Sequence, residues 1–165
     1  VAEAGCERFI IHARKAWLKG LSPKENRTKP PLRYEVVYQL KKDFPGLKII
    51  INGGIDSLAA CKEHLKFVDG IMIGRAAYEN LYLMAELEQA LLDDTFEPLP
   101  REQIVSQYLL YMESELQKGA RLKDMTKHLF GLYKGLPGAR NWRRNIGEVK
   151  NLKDVLVKEN EAYDC

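Results

Sequence analysis

The stretches Ile49–Ile55, IIINGGI, and Gly70–Ala77, GIMIGRAA, decide the fold of this 165-residue chain. Each is an apolar run that ends in glycine where a helix is expected to begin. Runs that are apolar on both faces are typical of strands buried in a parallel sheet. Glycines at such a strand end let backbone N–H groups approach a phosphate, and the helix end adds about half a positive charge. The two stretches therefore predict a phosphate-binding edge.

Arg75 directly follows Gly74 and would supply a fork of charged donors for phosphate oxygens. An alternative for Arg75 is an ion pair with Glu79, one helical turn further on. In a (β/α)₈ barrel, the common phosphate site lies in the loops after the last two strands, beside a short extra helix. The pattern therefore predicts a barrel enzyme that binds a flavin or a nucleotide.

Strands and helices alternate along the first part of the chain, which predicts parallel strand pairing with right-handed crossovers. Strands are predicted at 8–12, 48–51 and 68–73, with helices at 32–44, about 56–65 and 75 to about 92. A full barrel has eight strands in about 250 residues. The three strands are therefore interpreted as the C-terminal part of a TIM barrel that is cut inside the barrel.

The part of the chain beyond Pro98 and Pro100 is predicted to be all-α, a bundle of three or four helices. Apolar stripes at 104–112 and 122–132 have helical spacing, a loop is predicted at PGARNWRRN, and a last helix runs from about Asn151 to Asn160. The fold class is thus α/β plus all-α. The predicted domains are 1–97, the barrel portion, and 98–165, the helical domain.

The net charge of +3 is unevenly distributed. Residues 12–33 contain seven basic side chains against one acidic, and residues 116–150 contain nine against two. Residues 76–100 contain six acidic side chains and no basic one. This segregation favours a polyanionic partner, although solvated basic faces remain an alternative explanation.

The cysteines Cys6, Cys61 and Cys165 are odd in number and widely separated, without a CxxC motif. Reduced thiols in the cytoplasm are therefore expected rather than disulfides, and no metal site is predicted. No apolar run approaches the roughly 18 residues of a membrane span, so no membrane association is expected.

Five segments occur in the same order as in a known family. They are HARKAWLKGLSPKENR at 12–27, PPLRY at 30–34, NGGI at 52–55, GRAAY at 74–78 and GARNWRR at 138–144. Together they resemble the tRNA-dihydrouridine synthases, and within them the DusA branch. The resemblance implies an FMN enzyme that reduces D-loop uridines 20 and 20a of tRNA to 5,6-dihydrouridine with NADPH. An N-terminal barrel and a C-terminal helical tRNA-binding domain are implied as well.

The resemblance also implies which residues bind cofactor and substrate. FMN contacts are expected at His12, Asn52, Gly53, Gly54, Gly74 and Arg75, and tRNA contacts at Lys24, Arg27, Arg140 and Arg143, all four in one groove. The acid cysteine of the family is expected upstream of Val1, so no residue of this chain is predicted to be catalytic. The cut barrel is expected to be inactive alone and to self-associate through its open edges.

Two other functions remain as alternatives. A dihydroorotate dehydrogenase-like flavoprotein would explain NGGI and GRAA but not the basic helical domain. A non-catalytic RNA-binding module would explain the charge. Trp142 is predicted to pack within its own domain rather than to stack on RNA. For Trp17 the sequence supports stacking on a base and packing of the long loop equally. His64 and His128 are predicted to be surface or hydrogen-bonded residues. Lys123 and Lys127 are predicted to form a phosphate-contact row, with a solvated helix face as the alternative.

Overall fold

The computed structural model describes residues 1–17 and 19–155. The chain divides into two compact units, residues 1–76 and 77–165. The predicted domain boundary at 97/98 falls inside the second unit. Of the predicted last helix, residues 152–155 are helical, and the remainder, like Cys165, lies outside the described residues.

Unit 1 contains three strands and three complete helices. They are β1 (Arg8–His12), α1 (Pro23–Asn26), α2 (Tyr34–Asp43), β2 (Lys48–Asn52), α3 (Leu58–Leu65) and β3 (Gly70–Met72), with α4 (Arg75–Glu79) beginning at its end. A 3₁₀ turn at Ala2–Ala4 precedes them and stops at Gly5, whose φ is 90°. Ser57 caps α3 by accepting a hydrogen bond from the Ala60 amide.

The strands form a parallel sheet in the order β1-β2-β3. The register aligns His12 with Asn52 and Asn52 with Met72, so the three carboxyl ends lie side by side. Ile49 and Ile51 of β2 are fully buried, whereas Ile10 of β1 remains 58% exposed. The predicted parallel strands are confirmed, and the complete barrel stays a prediction.

Asp69 ties the sheet to α2 at the opposite edge. Its carboxylate accepts a hydrogen bond from the Ile49 amide at 2.8 Å and pairs with the Lys41 ammonium at 2.9 Å. The Lys41 hydrogen bond, followed by that from Ile49, lowers the pKa of Asp69. The carboxylate form thus joins α2 to the start of β3.

Unit 2 is helical and has its own core. Its elements are α5 (Leu83–Leu87), a π-helical turn (Glu88–Leu92), α6 (Arg101–Gln117), α7 (Leu122–Thr126), a 3₁₀ turn (Lys127–Leu129) and α8 (Ala139–Glu148). Trp142 is completely buried and its indole N–H donates to the Leu129 carbonyl at 2.8 Å. The Tyr133 ring lies 4.7 Å from it. The prediction that Trp142 packs is confirmed.

The continuous helix predicted from Arg75 to about Leu92 is wrong. The chain leaves the helix after Glu79 and resumes at Leu83. The break lets Tyr82 pack against the core, where its hydroxyl donates to the Leu99 carbonyl at 3.1 Å and its ring lies 3.6 Å from the Arg101 guanidinium carbon. These tertiary contacts override the helical propensity of the segment.

The loop predicted at PGARNWRRN is also wrong, because most of it forms α8. Only Pro137 and Gly138 precede the helix, and Gly138 caps it at a φ of 79°. Trp142 and Ile146 lie one turn apart and are both buried, so they supply the apolar stripe of an amphipathic helix. The arginines around Trp142 conceal this spacing in the sequence.

Candidate cofactor and nucleic-acid sites

The predicted cofactor residues of β1 and β2 meet at the carboxyl edge of the sheet. His12 ends β1, and its Nδ1 lies 3.3 Å from the Asn52 carbonyl oxygen. The Asn52 side-chain amide donates to the Met72 carbonyl at 2.8 Å, which joins the ends of β2 and β3. The parallel register therefore brings His12 and Asn52 together, as a ligand-binding strand edge requires.

Gly53 and Gly54 form a turn that other residues could not adopt without strain, since their φ angles are 121° and 69°. A Cβ on Gly53 would lie 2.9 Å from His12 Nδ1, and one on Gly54 would lie 2.7 Å from Leu32 Cδ1. The Tyr34 hydroxyl donates to the Gly53 carbonyl at 2.8 Å. The turn is thus held tightly on one side by side chains.

Gly74 differs from these two glycines, because a Cβ there would meet no atom within 4 Å. Open space beside a glycine at a strand end leaves room for a ligand to approach the backbone. The Arg75 guanidinium lies 3.5 Å from the Arg27 carbonyl oxygen. The alternative partner Glu79 instead pairs with Lys134 at 3.3 Å.

The long polar segment between β1 and α2 is an ordered loop. Arg14 and Leu32 form an antiparallel bridge across its base, and the Arg14 guanidinium donates to the Pro30 carbonyl. The Asn26 side chain accepts from the Trp17 amide at 2.8 Å and donates to the Trp17 carbonyl at 2.9 Å. The indole of Trp17 remains 47% exposed.

The loop presents Lys24 and Arg27 on and beside α1. Ser22 and Glu25 form a capping box at the start of this helix, and Glu25 also pairs with Lys29 at 2.5 Å. The Lys29 hydrogen bond, followed by those from Ser22, lowers the pKa of Glu25 to about 2. Arg27 Nε donates to the Pro23 carbonyl at 3.0 Å.

The second predicted tRNA pair lies on α8 of unit 2. Arg140 and Arg143 line a surface depression of about 510 Å³ whose other lining residues are Phe130, Lys134, Gly135, Ala139 and Arg144. We call this the α8 basic surface. Four cations border it, which favours binding of phosphate groups. A single groove shared with Lys24 and Arg27 stays a prediction.

Lys123 and Lys127 belong to a mixed-charge cluster. Asp124 pairs with the Arg121 guanidinium at 2.8 Å and with the Lys127 ammonium at 3.7 Å. The hydrogen bond from Arg121 is the largest cause of the lowered pKa of Asp124. A phosphate-contact row at Lys123 and Lys127 stays a prediction, and Asp124 reduces its charge.

His64, His128 and Cys61 have the contacts of packed or hydrogen-bonded residues. His64 is buried and its Nδ1 lies 2.6 Å from the Tyr38 hydroxyl, while His128 Nδ1 lies 3.4 Å from the Tyr78 hydroxyl. Cys61 is buried within α3, and burial raises the pKa of its thiol. Within residues 1–17 and 19–155, no group of three His, Cys, Asp or Glu side chains could hold a metal ion.

Sequence reasoning missed several residues that shape these sites. Tyr34 and Leu32, which cover the Gly53–Gly54 turn, lie about twenty residues before it, and no periodicity links them. Arg144 joins Arg140 and Arg143 because all three lie on α8, and Lys134, which precedes α8, lines the same depression. The PPLRY segment at 30–34, which contains both Leu32 and Tyr34, was the available sequence signal for the first pair.

Comparison with known proteins defines the class. The profile of the family described as dihydrouridine synthase (Dus) matches residues 1–164. Proteins named tRNA-dihydrouridine(20/20a) synthase from Shewanella oneidensis and Synechocystis are each 54% identical over 148 residues, which is 90% of this chain and 44% of theirs. A relative of the same name from Vibrio vulnificus is 55% identical over 170 aligned residues, 98% of this chain and 52% of its own length.

The chain therefore belongs to the dihydrouridine synthase family. It spans about half the length of the curated relatives it matches. In the part of the chain that the structure describes, no helix is both long and apolar enough to cross a membrane.

Proposed function

We propose that this chain forms the phosphate-binding and tRNA-binding parts of an FMN-dependent, NADPH-consuming tRNA-dihydrouridine synthase that acts on uridines 20 and 20a. The names of the three relatives state this specificity for those proteins. The observation that carries the proposal is the strand edge where His12, Asn52 and the Gly53–Gly54 turn lie together. The dehydrogenase-like alternative explains neither the tRNA named for the relatives nor the α8 basic surface.

The donor set of this edge fits the phosphate monoester of FMN. Two glycines at positive φ turn the backbone sharply, and Gly74 leaves open space on the neighbouring strand end. A guanidinium stands one residue further on, at Arg75. We assign Gly53, Gly54, Gly74 and Arg75 to the phosphate, while His12 and Asn52 hold the adjoining part of the cofactor.

Bound FMN would supply the hydride chemistry, taking a hydride from NADPH and delivering it to the uracil ring. The residues of this chain would bind and orient the cofactor. The strand-end hydrogen bonds of Asn52 fix the edge against which the cofactor lies. Neither Cys6 nor Cys61 is assigned as the proton donor, since Cys61 is buried and the Cys6 thiol donates to the Arg8 carbonyl at 3.4 Å.

The tRNA is assigned to two basic regions. Lys24 and Arg27 lie on a loop that is held by the Ser22–Glu25 capping box and by the two hydrogen bonds between the Asn26 side chain and the Trp17 backbone. Arg140 and Arg143 lie on the α8 basic surface. Reduction of a base requires that it leave its stack, and phosphate contacts position the RNA while it does.

The open sheet also supports self-association of this chain in isolation. Among the described strands, β1 and β3 each pair on one side only, and Ile10 and Met72 are exposed beside them. Such edges and apolar side chains promote pairing between copies. We expect the isolated 165-residue chain to elute above its monomer mass and to lack dihydrouridine synthesis.

The test uses a chimera in which this chain replaces the aligned region of the Shewanella oneidensis relative. The purified chimera is incubated with NADPH and unmodified tRNA, and dihydrouridine is detected by mass spectrometry as a gain of two hydrogens at positions 20 and 20a. We expect formation of both products. A folded chimera that retains FMN but leaves tRNA unmodified would overturn the assignment.

A further inference from the structure

We propose that Tyr34 is a positioning residue whose hydroxyl sets the Gly53–Gly54 turn in its phosphate-binding conformation. The proposal rests on the proposed FMN function for its ligand, but the contacts that carry it are independent of that function. The Tyr34 hydroxyl donates to the Gly53 carbonyl at 2.8 Å across nineteen residues of sequence. Because the peptide group is planar and trans, a hydrogen bond that fixes the direction of a carbonyl also fixes the N–H of the next residue, which points the opposite way.

The bond therefore determines where the Gly54 amide points, because the Gly53 carbonyl and the Gly54 N–H share one peptide plane. The Gly53 carbonyl points toward Tyr34, so the Gly54 N–H points away from it. Both glycines have positive φ. Because glycine has no Cβ, its backbone can move between positive and negative φ at little energetic cost. The turn needs an external hydrogen bond to stay in one conformation.

The Tyr34 ring is held by a cluster of ring contacts in which His64 is buried, Tyr34 and Tyr38 are half-buried and Phe67 is 46% exposed. Its edge meets the His64 ring of α3 with centroids 4.3 Å apart. His64 is buried and hydrogen-bonded to the Tyr38 hydroxyl at 2.6 Å, and the Tyr38 ring stacks on Phe67 at 4.4 Å. The side chains of α2 and α3 thus lock the ring that reaches the turn.

The backbone just before α2 is fixed to the chain just after the first strand, and this places the Tyr34 hydroxyl within hydrogen-bonding distance of the Gly53 carbonyl. The Arg33 amide donates to the Ala13 carbonyl at 2.7 Å, and Leu32 pairs with Arg14, so the two residues before α2 are tied to the two residues after β1. Leu32 methyl carbons and the Tyr34 hydroxyl both lie where a Gly54 Cβ would project. The Tyr34 hydroxyl is protonated at neutral pH at the ordinary tyrosine pKa of about 10, and burial raises its pKa further.

Tyr38 provides a matched control. It lies one turn from Tyr34 on the same helix and carries the same hydroxyl, which is hydrogen-bonded to His64 Nδ1 rather than to the turn. Tyr34→Phe and Tyr38→Phe each remove one oxygen and keep the ring. The two variants differ in whether the lost bond reaches Gly53.

The first measurement is made by NMR on the isotope-labelled chimera described above, before FMN is added. Tyr34→Phe should move the Gly53 carbonyl ¹³C resonance toward that of a non-bonded carbonyl. It should also lower the amide order parameters of Gly53 and Gly54 from about 0.85 to about 0.6 or below. Tyr38→Phe keeps the Gly53 hydrogen bond and alters only the indirect support of the Tyr34 ring through His64, so it should change these signals much less. Unchanged Gly53 and Gly54 signals in Tyr34→Phe, or equal changes in both variants, would overturn the proposal.

The second measurement titrates FMN into the chimera described above and follows the ³¹P resonance of the bound phosphate. Tyr34→Phe should raise the dissociation constant about tenfold and shift this resonance, since a lost hydrogen bond changes an equilibrium by about that factor. Tyr38→Phe should stay within about twofold. Full FMN affinity in Tyr34→Phe would refute the positioning role, whereas loss of FMN binding in the unsubstituted chimera would refute the proposed function and leave the NMR result standing.

Discussion

The candidate sites of unit 1 and unit 2 are built by different physical means. In unit 1 the candidate site is made of backbone, a Gly53–Gly54 turn held from behind by Tyr34 and Leu32. In unit 2 it is made of side-chain charge, with arginines on the outer face of a helix whose inner face is anchored by Trp142. Ligand affinity at a site made of backbone groups depends on the conformation of the turn, whereas affinity at a site made of charged side chains depends on the number of cations. Substitutions should therefore act differently in the two units.

The largest effect is expected at the core of unit 2. Trp142→Ala removes a completely buried ring and leaves the Leu129 carbonyl without its indole donor. Loss of an aromatic side chain from a core costs about 3–5 kcal/mol in the free energy of unfolding. Urea unfolding followed by circular dichroism at a helical wavelength measures this loss.

Trp17→Phe is the matched control, because Trp17 is about half exposed and is held through its backbone by Asn26. This change should alter the free energy of unfolding by less than about 0.5 kcal/mol. Equal costs for the two tryptophans would contradict the placement of Trp142 at the centre of the core.

The next effect is expected at the glycine turn of unit 1. Gly54→Ala would place a Cβ 2.7 Å from Leu32 Cδ1 at a φ of 69°. Backbone strain and overpacking together should lower the free energy of unfolding by about 2–4 kcal/mol. Thermal unfolding gives the change.

Gly20→Ala separates backbone strain from crowding. Gly20 also has a positive φ, 83°, but a Cβ there meets nothing within 4 Å. Its substitution should cost about 1 kcal/mol, from the left-handed conformation alone. If Gly54→Ala were no worse than Gly20→Ala, the close approach of Leu32 and Tyr34 would not constrain the turn.

These glycines show what the sequence could and could not predict. IIINGGI and GIMIGRAA predicted the strands and the glycine-ended edge because local pattern and local conformation agree there. The hydrogen bond from Tyr34 to Gly53 was not predicted, because it joins positions nineteen residues apart. The break at Asn80–Tyr82 and helix α8 escaped because burial of Tyr82 and Trp142 is a tertiary effect that outweighs local preference.

In unit 2 the charges should act additively. Arg140→Gln and Arg143→Gln are each expected to weaken binding of unmodified tRNA and to reduce the slope of log affinity against log salt by about 1. Fluorescence anisotropy at several salt concentrations measures both quantities. Lys118→Gln is the control, since Lys118 pairs with Glu115 at 2.7 Å and does not line the α8 basic surface. A slope unchanged by the two arginine substitutions would remove them from the RNA contact.

The smallest effect is a pH dependence confined to unit 1. Burial is the main cause that lowers the pKa of His64 below its ordinary 6.5. The unfolded chain therefore binds more protons than the folded chain between the two values. This contribution to stability is complete above about pH 6.5 and is lost as the pH falls through the lowered folded value.

His64→Gln should flatten the dependence of unfolding free energy on pH between about pH 7 and pH 5, where one proton accounts for at most about 1.4 kcal/mol per pH unit. His128→Gln, at an exposed position beside Tyr78, should retain the dependence of the unsubstituted chain. The same slope in all three proteins would show that His64 does not titrate in unfolding.

The most direct test of the phosphate site compares FMN with riboflavin, which lacks the phosphate, on the ¹⁵N-labelled chimera. If the strand edge holds the phosphate, FMN shifts the amide resonances of Gly53, Gly54, Gly74 and Arg75, and riboflavin binds more weakly and shifts them far less. Equal affinity for the two flavins, with these four amides unmoved by FMN, would contradict a phosphate site at the ends of β2 and β3.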